Sequence, residues 1–177
     1  MDDTQIRVAT GMGLAMATAV AAFGVAAVFA PRVWAIEPSL AFRLTLAAWS
    51  ALGPALMLCV CIARLAKHRF FTPADINGSG LTHGTDKARL LQALLQNTLE
   101  QACLAVPVFF TTAVVAPLLV LPLVPTAALL FVVGRIAFFA GYAEGAPSRA
   151  FGFALTFYPT VLLIVILGGF AAMKAVT

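Results

Sequence analysis

The sequence predicts an all-α integral membrane protein, and three observations carry that reading. Of its 177 residues, 62% are apolar, and the mean hydropathy is +1.01. Only 10% are charged, 11 Lys or Arg against 7 Asp or Glu, where a soluble domain carries about 25%. That is too few to cover a globular surface. The charges also fall in gaps between long uncharged runs, each near the roughly 20 residues a helix needs to cross about 30 Å of hydrocarbon. A soluble enzyme and a disordered tail are both excluded. The formal charge of +4 is spread over short connectors. Without a concentrated basic stripe, nucleic acid is excluded as a partner.

Five spans follow in order. Val8 to Pro31 is uncharged and predicts a first span at 8–30. It reads as retained rather than as a cleaved signal: Asp2 and Asp3 oppose the single Arg7, the run is long for a signal core, and proline follows Ala30. Gly11, Gly13, Ala15, Ala17 and Gly24 suit it to close helix packing. The run from Leu44 to Ala63 predicts a span at 44–66. Gln101 to Gly134 is uncharged but too long for one span, and Pro117, Pro122 and Pro125 punctuate it. Proline removes a backbone donor and breaks helices, so a tight hairpin is expected between spans at 87–115 and 124–143. Ala150 to Met173 gives the last span, 150–173.

Basic residues near the span ends set orientation. Arg7, Arg64, Lys67, Arg69, Lys87, Arg89 and Arg149 fall on one side, and Arg32, Arg43 and Lys174 on the other. The N-terminus and the 64–89 loop are therefore expected in the cytoplasm and the C-terminus outside. Cys59, Cys61 and Cys103 lie in apolar runs and read as buried small hydrophobes, with no metal site. Within the 64–89 loop, Asp75, Asn77, Ser79, Gly80 and Asp86 approximate the oxygen spacing of a calcium loop. A glycine-rich turn ending in a helix cap at Thr85 or Asp86 accounts for the same residues. His68 and His83 read as solvated loop histidines.

An ionisable residue inside a span is expensive and marks a candidate functional site. Arg89, Gln92, Gln96 and Glu100 follow one stripe of a helix, with Asn97 and Gln101 on its flank. Glu100 lies about three turns from Arg89, roughly 16 Å, and a carboxylate at that depth must meet a cation or a polar ligand. Arg135 and Tyr142 are seven residues apart and so share a face of the fourth span. Arg135 is the expected counter-charge of Glu100, either as a structural pair or as part of a site for a zwitterionic ligand. Glu144, Gly145, Pro147 and Arg149 form a short turn into the last span, where Arg149 could equally be an orienting, snorkelling residue.

The order of these features resembles the MAPEG superfamily, the membrane-associated proteins of eicosanoid and glutathione metabolism. The resemblance runs from about residue 44 to 173. It rests on Gln96-Asn97-Thr-Leu-Glu100, on Arg135-x6-Tyr142, and on Gly-Ala-Pro-Ser-Arg149, with Arg149 seven beyond the tyrosine. It implies a four-helix bundle that assembles as a homotrimer, here with one additional N-terminal transmembrane helix: residues 1–43 form that helix and its connector, and residues 44–177 the family domain. It further implies glutathione as co-substrate near the cytosolic face, a lipophilic substrate arriving from the bilayer, and a bacterial inner membrane as the setting. By position, Gln96, Asn97, Glu100, Arg135 and Tyr142 would bind glutathione, and Arg149 would stabilise its thiolate. The chemistry suits those roles. A thiol of pKa near 8.5 is mostly protonated at neutral pH, a nearby cation favours the thiolate, and guanidinium forks bind carboxylates bidentately. Departures from the family pattern fall at Ala93, where several relatives carry arginine, at Phe138, where tyrosine is frequent, and at Gln101.

Two functions are therefore weighed: a glutathione-dependent transferase or peroxidase acting on lipophilic electrophiles or lipid hydroperoxides, and a non-catalytic scaffold or accessory subunit of a larger membrane complex. Ala93, Phe138 and the extra span, on which a protein partner could dock through 8–30, favour the second. The conjunction of Glu100, Arg135, Tyr142 and Arg149 favours the first. A small transporter fits less well, since no span is expected to be interrupted at mid-membrane.

Overall fold

A computed structural model describes residues 2–33, 38–78 and 81–176. Five long helices carry the fold: α1 (Asp3–Val33), α2 (Leu40–Phe71), α3 (Asp86–Val115), α4 (Leu123–Gly141) and α5 (Ala146–Val176). All five are long and apolar enough to cross a membrane. Single tight helical turns at Pro73–Asp75, Leu118–Val120 and Tyr142–Glu144 lie in the connections.

Most helices outrun the uncharged segments that predict them. At 32 residues, α2 is about 48 Å long, well beyond the hydrocarbon thickness of about 30 Å. Its last turns, carrying Arg64, Lys67, His68 and Arg69, continue past the apolar run. Uncharged length marks where lipid lies, not where helical hydrogen bonding stops.

The proline hairpin stands as expected. Ala116 ends α3 in an extended conformation (ψ 155°), as the residue before Pro117 must, and Pro125 falls in the first turn of α4, where a missing donor costs little. Pro54, Pro107 and Pro159, by contrast, lie inside α2, α3 and α5, and those helices remain continuous. Neighbouring helices tolerate such prolines within a membrane bundle. Arg43 turns out to be more than an orienting charge. Its Nη1 donates to the carbonyls of Ala113 and Ala116, each at 2.8 Å, satisfying acceptors at the C-terminal end of α3 that have no helical partner.

The core centres on α4, whose spanning window is 61% buried against 17% for α1. Packing along α4 and α5 is close enough to require glycine. A Cβ on Gly134 would lie 2.5 Å from Thr156 Oγ1, and one on Gly152 would lie 2.7 Å from Phe138 Cα. Small residues that let backbones touch are a principal adhesive between membrane helices. α1 lies along α5 through the ridge Gly11, Ala15, Ala19 and Phe23, the last three buried.

The connection from α2 to α3 is clasped by Asp75. Its carboxylate accepts from the Thr85 amide (2.8 Å) and the Thr85 hydroxyl (2.7 Å), and it lies 2.8 Å from His68 Nε2. Thr85 in turn caps α3, its hydroxyl accepting from the Ala88 amide. Two expectations change here. His68 belongs to the last turn of α2 and is half-buried in this clasp, because the helix runs on past its apolar segment. Both oxygens of Asp75 are occupied by protein groups, which supports the capped turn over the calcium loop. Ser79 and Gly80 of that loop lie outside the described residues. The cysteines also divide. Cys61 is buried against Thr98 (3.5 Å), whereas Cys59 and Cys103 face outward. Cys59 and Cys61, two positions apart, project from opposite sides of α2, so the expectation that all three are buried is corrected.

Candidate functional site

At the end of the bundle that holds the N-terminus of α1, the α2–α3 connection and the start of α5, four of the six sequence-predicted residues converge. Arg135 is fully buried. Its Nη1 donates to Asn97 Oδ1 at 2.7 Å, its Nε donates to Thr156 Oγ1 at 3.0 Å, and its guanidinium lies 4.3 Å from the centroid of the Phe138 ring. Its remaining nitrogen, Nη2, is buried without a hydrogen-bond partner. Arg149, half-buried, places its guanidinium 4.6 Å from the centroid of the Tyr142 ring. Tyr142 packs edge-on against Phe138, with ring centroids 5.1 Å apart.

A cavity of about 320 Å³ opens beside Arg149 and Tyr142, with Arg135 buried behind its Asn97 and Phe138 wall. α3 contributes Asn97; α4 and the turn after it contribute Phe138 and Tyr142; α5 contributes Ala146, Arg149, Ala150 and Phe153. Val8 and Met12 of α1 close the remaining side. No carboxylate lines the cavity, and among the described residues neither Arg135 nor Arg149 has an ion-pair partner. The pocket thus presents cationic and hydrogen-bonding groups at one end and apolar side chains over the rest. It can hold an anionic, partly apolar ligand.

Glu100 and Gln96 are not part of this cavity. Glu100 is exposed on the outward face of α3 and accepts from Gln96 Nε2 at 2.9 Å. The expected Glu100–Arg135 pair does not form, because α4 faces the Asn97 side of α3 and Asn97 takes the arginine instead. Gln96 lines a second cavity of about 360 Å³ together with Arg69, Arg89, Gln92 and Ala93, where Arg69 Nη2 donates to Gln92 (3.1 Å). Thr156 is the site residue that sequence reasoning missed. Its signal was available: it stands seven residues after Arg149, the same interval that separates Arg135 from Tyr142.

Fold and site together define a helical membrane protein with an arginine-lined cavity near one end of its bundle. The MAPEG family model matches residues 44–169, and the chain belongs to the MAPEG family. It is thereby an integral membrane protein of the glutathione and eicosanoid metabolism type. The match opens in α2 and closes in α5, leaving α1 outside it. Neither the curated proteins nor the solved structures yield a significant match.

Proposed function

We propose that the protein is a glutathione-dependent transferase or peroxidase acting on lipophilic electrophiles or lipid hydroperoxides. One observation carries the reading: Arg149 stands at a cavity with no acidic residue to balance it, and Arg135, buried behind the lining residues Asn97 and Phe138, keeps an unpaired donor. A buried cation without a counter-charge is costly in a membrane, and an anionic ligand removes that cost. Glutathione supplies two carboxylates and a thiolate. Asn97, held from behind by Arg135, and Tyr142 bind its backbone, with the unpaired Arg135 nitrogen next in line, while Arg149 favours ionisation of the thiol in a low-dielectric pocket. The sulfur then bonds to an electrophilic carbon as a leaving group departs. With a hydroperoxide it instead takes the terminal oxygen, releasing the alcohol, and a second glutathione completes the disulfide with loss of water.

Glu100 lies near the midpoint of α3, about 21 Å along the helix from its start, on a face this chain leaves open. A carboxylate at that depth requires cover. A second copy of the chain supplies it, in keeping with a homotrimer in which Glu100 and Gln96 complete a neighbour's site. The balance of basic residues supports a cytoplasmic N-terminus and 64–89 loop, with the site facing the cytosol of a bacterial inner membrane.

The test is thiolate formation by purified protein in detergent. Ultraviolet thiolate absorbance is followed as glutathione is added to the native chain and to Arg149→Ala. A saturable signal lost in the variant is expected; no signal from the native chain refutes the proposal. The scaffold reading has its own support in Phe138, whose ring covers the Arg135 guanidinium where a tyrosine would offer a hydroxyl, and it predicts no signal.

A further inference from the structure

The helix that lies outside the family match forms one side of the cavity at Arg149. We propose that α1 is the outer wall of the electrophile-binding half of this pocket, with Val8 and Met12 limiting the acceptor to compact apolar electrophiles. The inference rests on the glutathione reading above and narrows its substrate class.

Three observations support it. Val8 and Met12, four residues apart, share one helical face, and Gly11, three residues after Val8 at the edge of that face, is pinned. A Cβ there would meet the Phe151 amide nitrogen at 3.3 Å and Ala150 Cβ at 3.4 Å. The contact holds both side chains over the start of α5, where Arg149 lies. Second, the cavity is chemically divided. Arg149, Tyr142 and Asn97 form its polar part, and Val8, Met12, Phe138 and Phe153 are apolar. A thiolate held at Arg149 therefore meets its acceptor on the apolar side, against α1. Third, Val8, Met12 and Ala146 also line a separate cavity of about 360 Å³ that reaches Asp2, Thr4 and Gln5 at the end of the bundle. Val8 and Met12 are thus a partition about one side chain thick between two spaces.

The inner space, at about 320 Å³, is at the small end of ligand sites, which run from about 300 to 1,000 Å³. With glutathione in its polar part, the room left accepts only a short α,β-unsaturated aldehyde, whose β-carbon bonds to sulfur while solvent supplies the proton to the α-carbon. A long-chain homologue meets the partition. Methionine, unbranched and flexible, suits a wall that must close irregular space.

The test compares a short-chain and a long-chain α,β-unsaturated aldehyde as acceptors for the full-length protein. Met12→Ala and, separately, Val8→Ala are expected to raise the long-to-short ratio of kcat/KM about tenfold, the scale of discrimination by a hydrophobic pocket. Met12→Phe is expected to lower it, and Leu14→Ala, exposed on α1, to leave it unchanged. A second measurement does not depend on glutathione. In a chain freed of its native cysteines, Ala150→Cys should react with a small maleimide and resist a bulky one until Met12→Ala is added. An unchanged acceptor ratio despite a native thiolate signal overturns the wall, and so does labelling at residue 150 that is insensitive to reagent size. Loss of the native thiolate signal with size-selective labelling intact overturns the glutathione reading and leaves the wall standing.

Discussion

Replacing Gly152 with alanine should destabilise the protein, whereas the same change at Gly168 in the same helix should not. A Cβ on Gly152 would lie 2.7 Å from Phe138 Cα and 2.8 Å from the Ala137 carbonyl carbon, where ordinary contact begins at 3.4 Å. The Phe138 amide nitrogen is closer still, and these backbone atoms cannot rotate away, so α5 and α4 must part by at least roughly 0.7 Å, an overpacking strain of about 1–3 kcal/mol. Alanine recovers about 0.5–1 kcal/mol of helix propensity, leaving a net loss of up to about 2.5 kcal/mol. At Gly168 nothing lies within 4 Å, and only the gain remains. The parting also acts on the site: the Arg135–Thr156 bond, 3.0 Å long, would stretch beyond hydrogen-bonding range. Thermal unfolding of both variants in detergent, beside the native chain, measures the contrast. A Gly152→Ala protein as stable as the native one would refute the claim that backbone contact joins these helices.

Other changes test other joints. Arg43→Ala removes the donor that serves Ala113 and Ala116 and should cost about 1–3 kcal/mol of thermal stability through unsatisfied carbonyls; an unchanged midpoint counts against the cap. Asp75 is held below the usual carboxylate range, chiefly by the hydrogen bond from the Thr85 hydroxyl and then by that from its amide. A lowered folded value means the clasp stabilises above the free carboxyl value of 3.8 and fails as pH falls through the lower folded value. Hydrogen exchange at the Thr85 amide, corrected for intrinsic rate, should therefore show protection that persists through mildly acidic pH and fades only below 3.8, and Asp75→Asn should weaken it throughout the range where the native clasp holds. If copies of the chain meet along the outward face of α3, Cys103, one turn from Glu100 and exposed, should be joined across copies by a short bis-maleimide. Cys103→Ala should abolish those products and Cys59→Ala should not; products that depend on Cys59 alone would place the interface elsewhere.

What the sequence disclosed and what it hid divide along physical lines. Span number and the hairpin at Pro117–Pro125 were legible because lipid enforces long apolar runs and proline dictates the backbone before it. The convergence of Asn97, Arg135, Tyr142 and Arg149 was legible through spacing and family resemblance. The pairing of Arg135 with Asn97 rather than Glu100 was not, because helical periodicity fixes which face a residue occupies but not which neighbour that face meets. The roles of Arg43 and His68 were hidden for a related reason. Both look like surface charges in a linear chain, and each acquires its partner only when a distant segment, Ala113–Ala116 or Asp75 with Thr85, folds against it. The glycine contact between α4 and α5 was not read from the sequence: only packing shows that Ser148, Gly152 and Thr156 approach Gly134 and Gly141.

That contact also accounts for the spacing of the site residues. On α4, Arg135, Phe138 and Tyr142 rise along one face; on the antiparallel α5, Thr156, Phe153 and Arg149 descend along the face opposite. Arg135 meets Thr156 by hydrogen bond, Phe138 meets Phe153 with ring centroids 6.3 Å apart, and Tyr142 meets the Arg149 guanidinium. Seven residues are two turns to within about 20°, so a seven-residue step on α4 can be matched only by a seven-residue step in the opposite sense on α5. Arg-x6-Tyr and Arg-x6-Thr are therefore a single constraint written twice. A slip of one turn between the helices would carry Arg135 away from Thr156 and Arg149 away from Tyr142 at once. The glycines at 134, 141 and 152, which admit no other register at this separation, hold Arg149 at the cavity and Arg135 behind its wall.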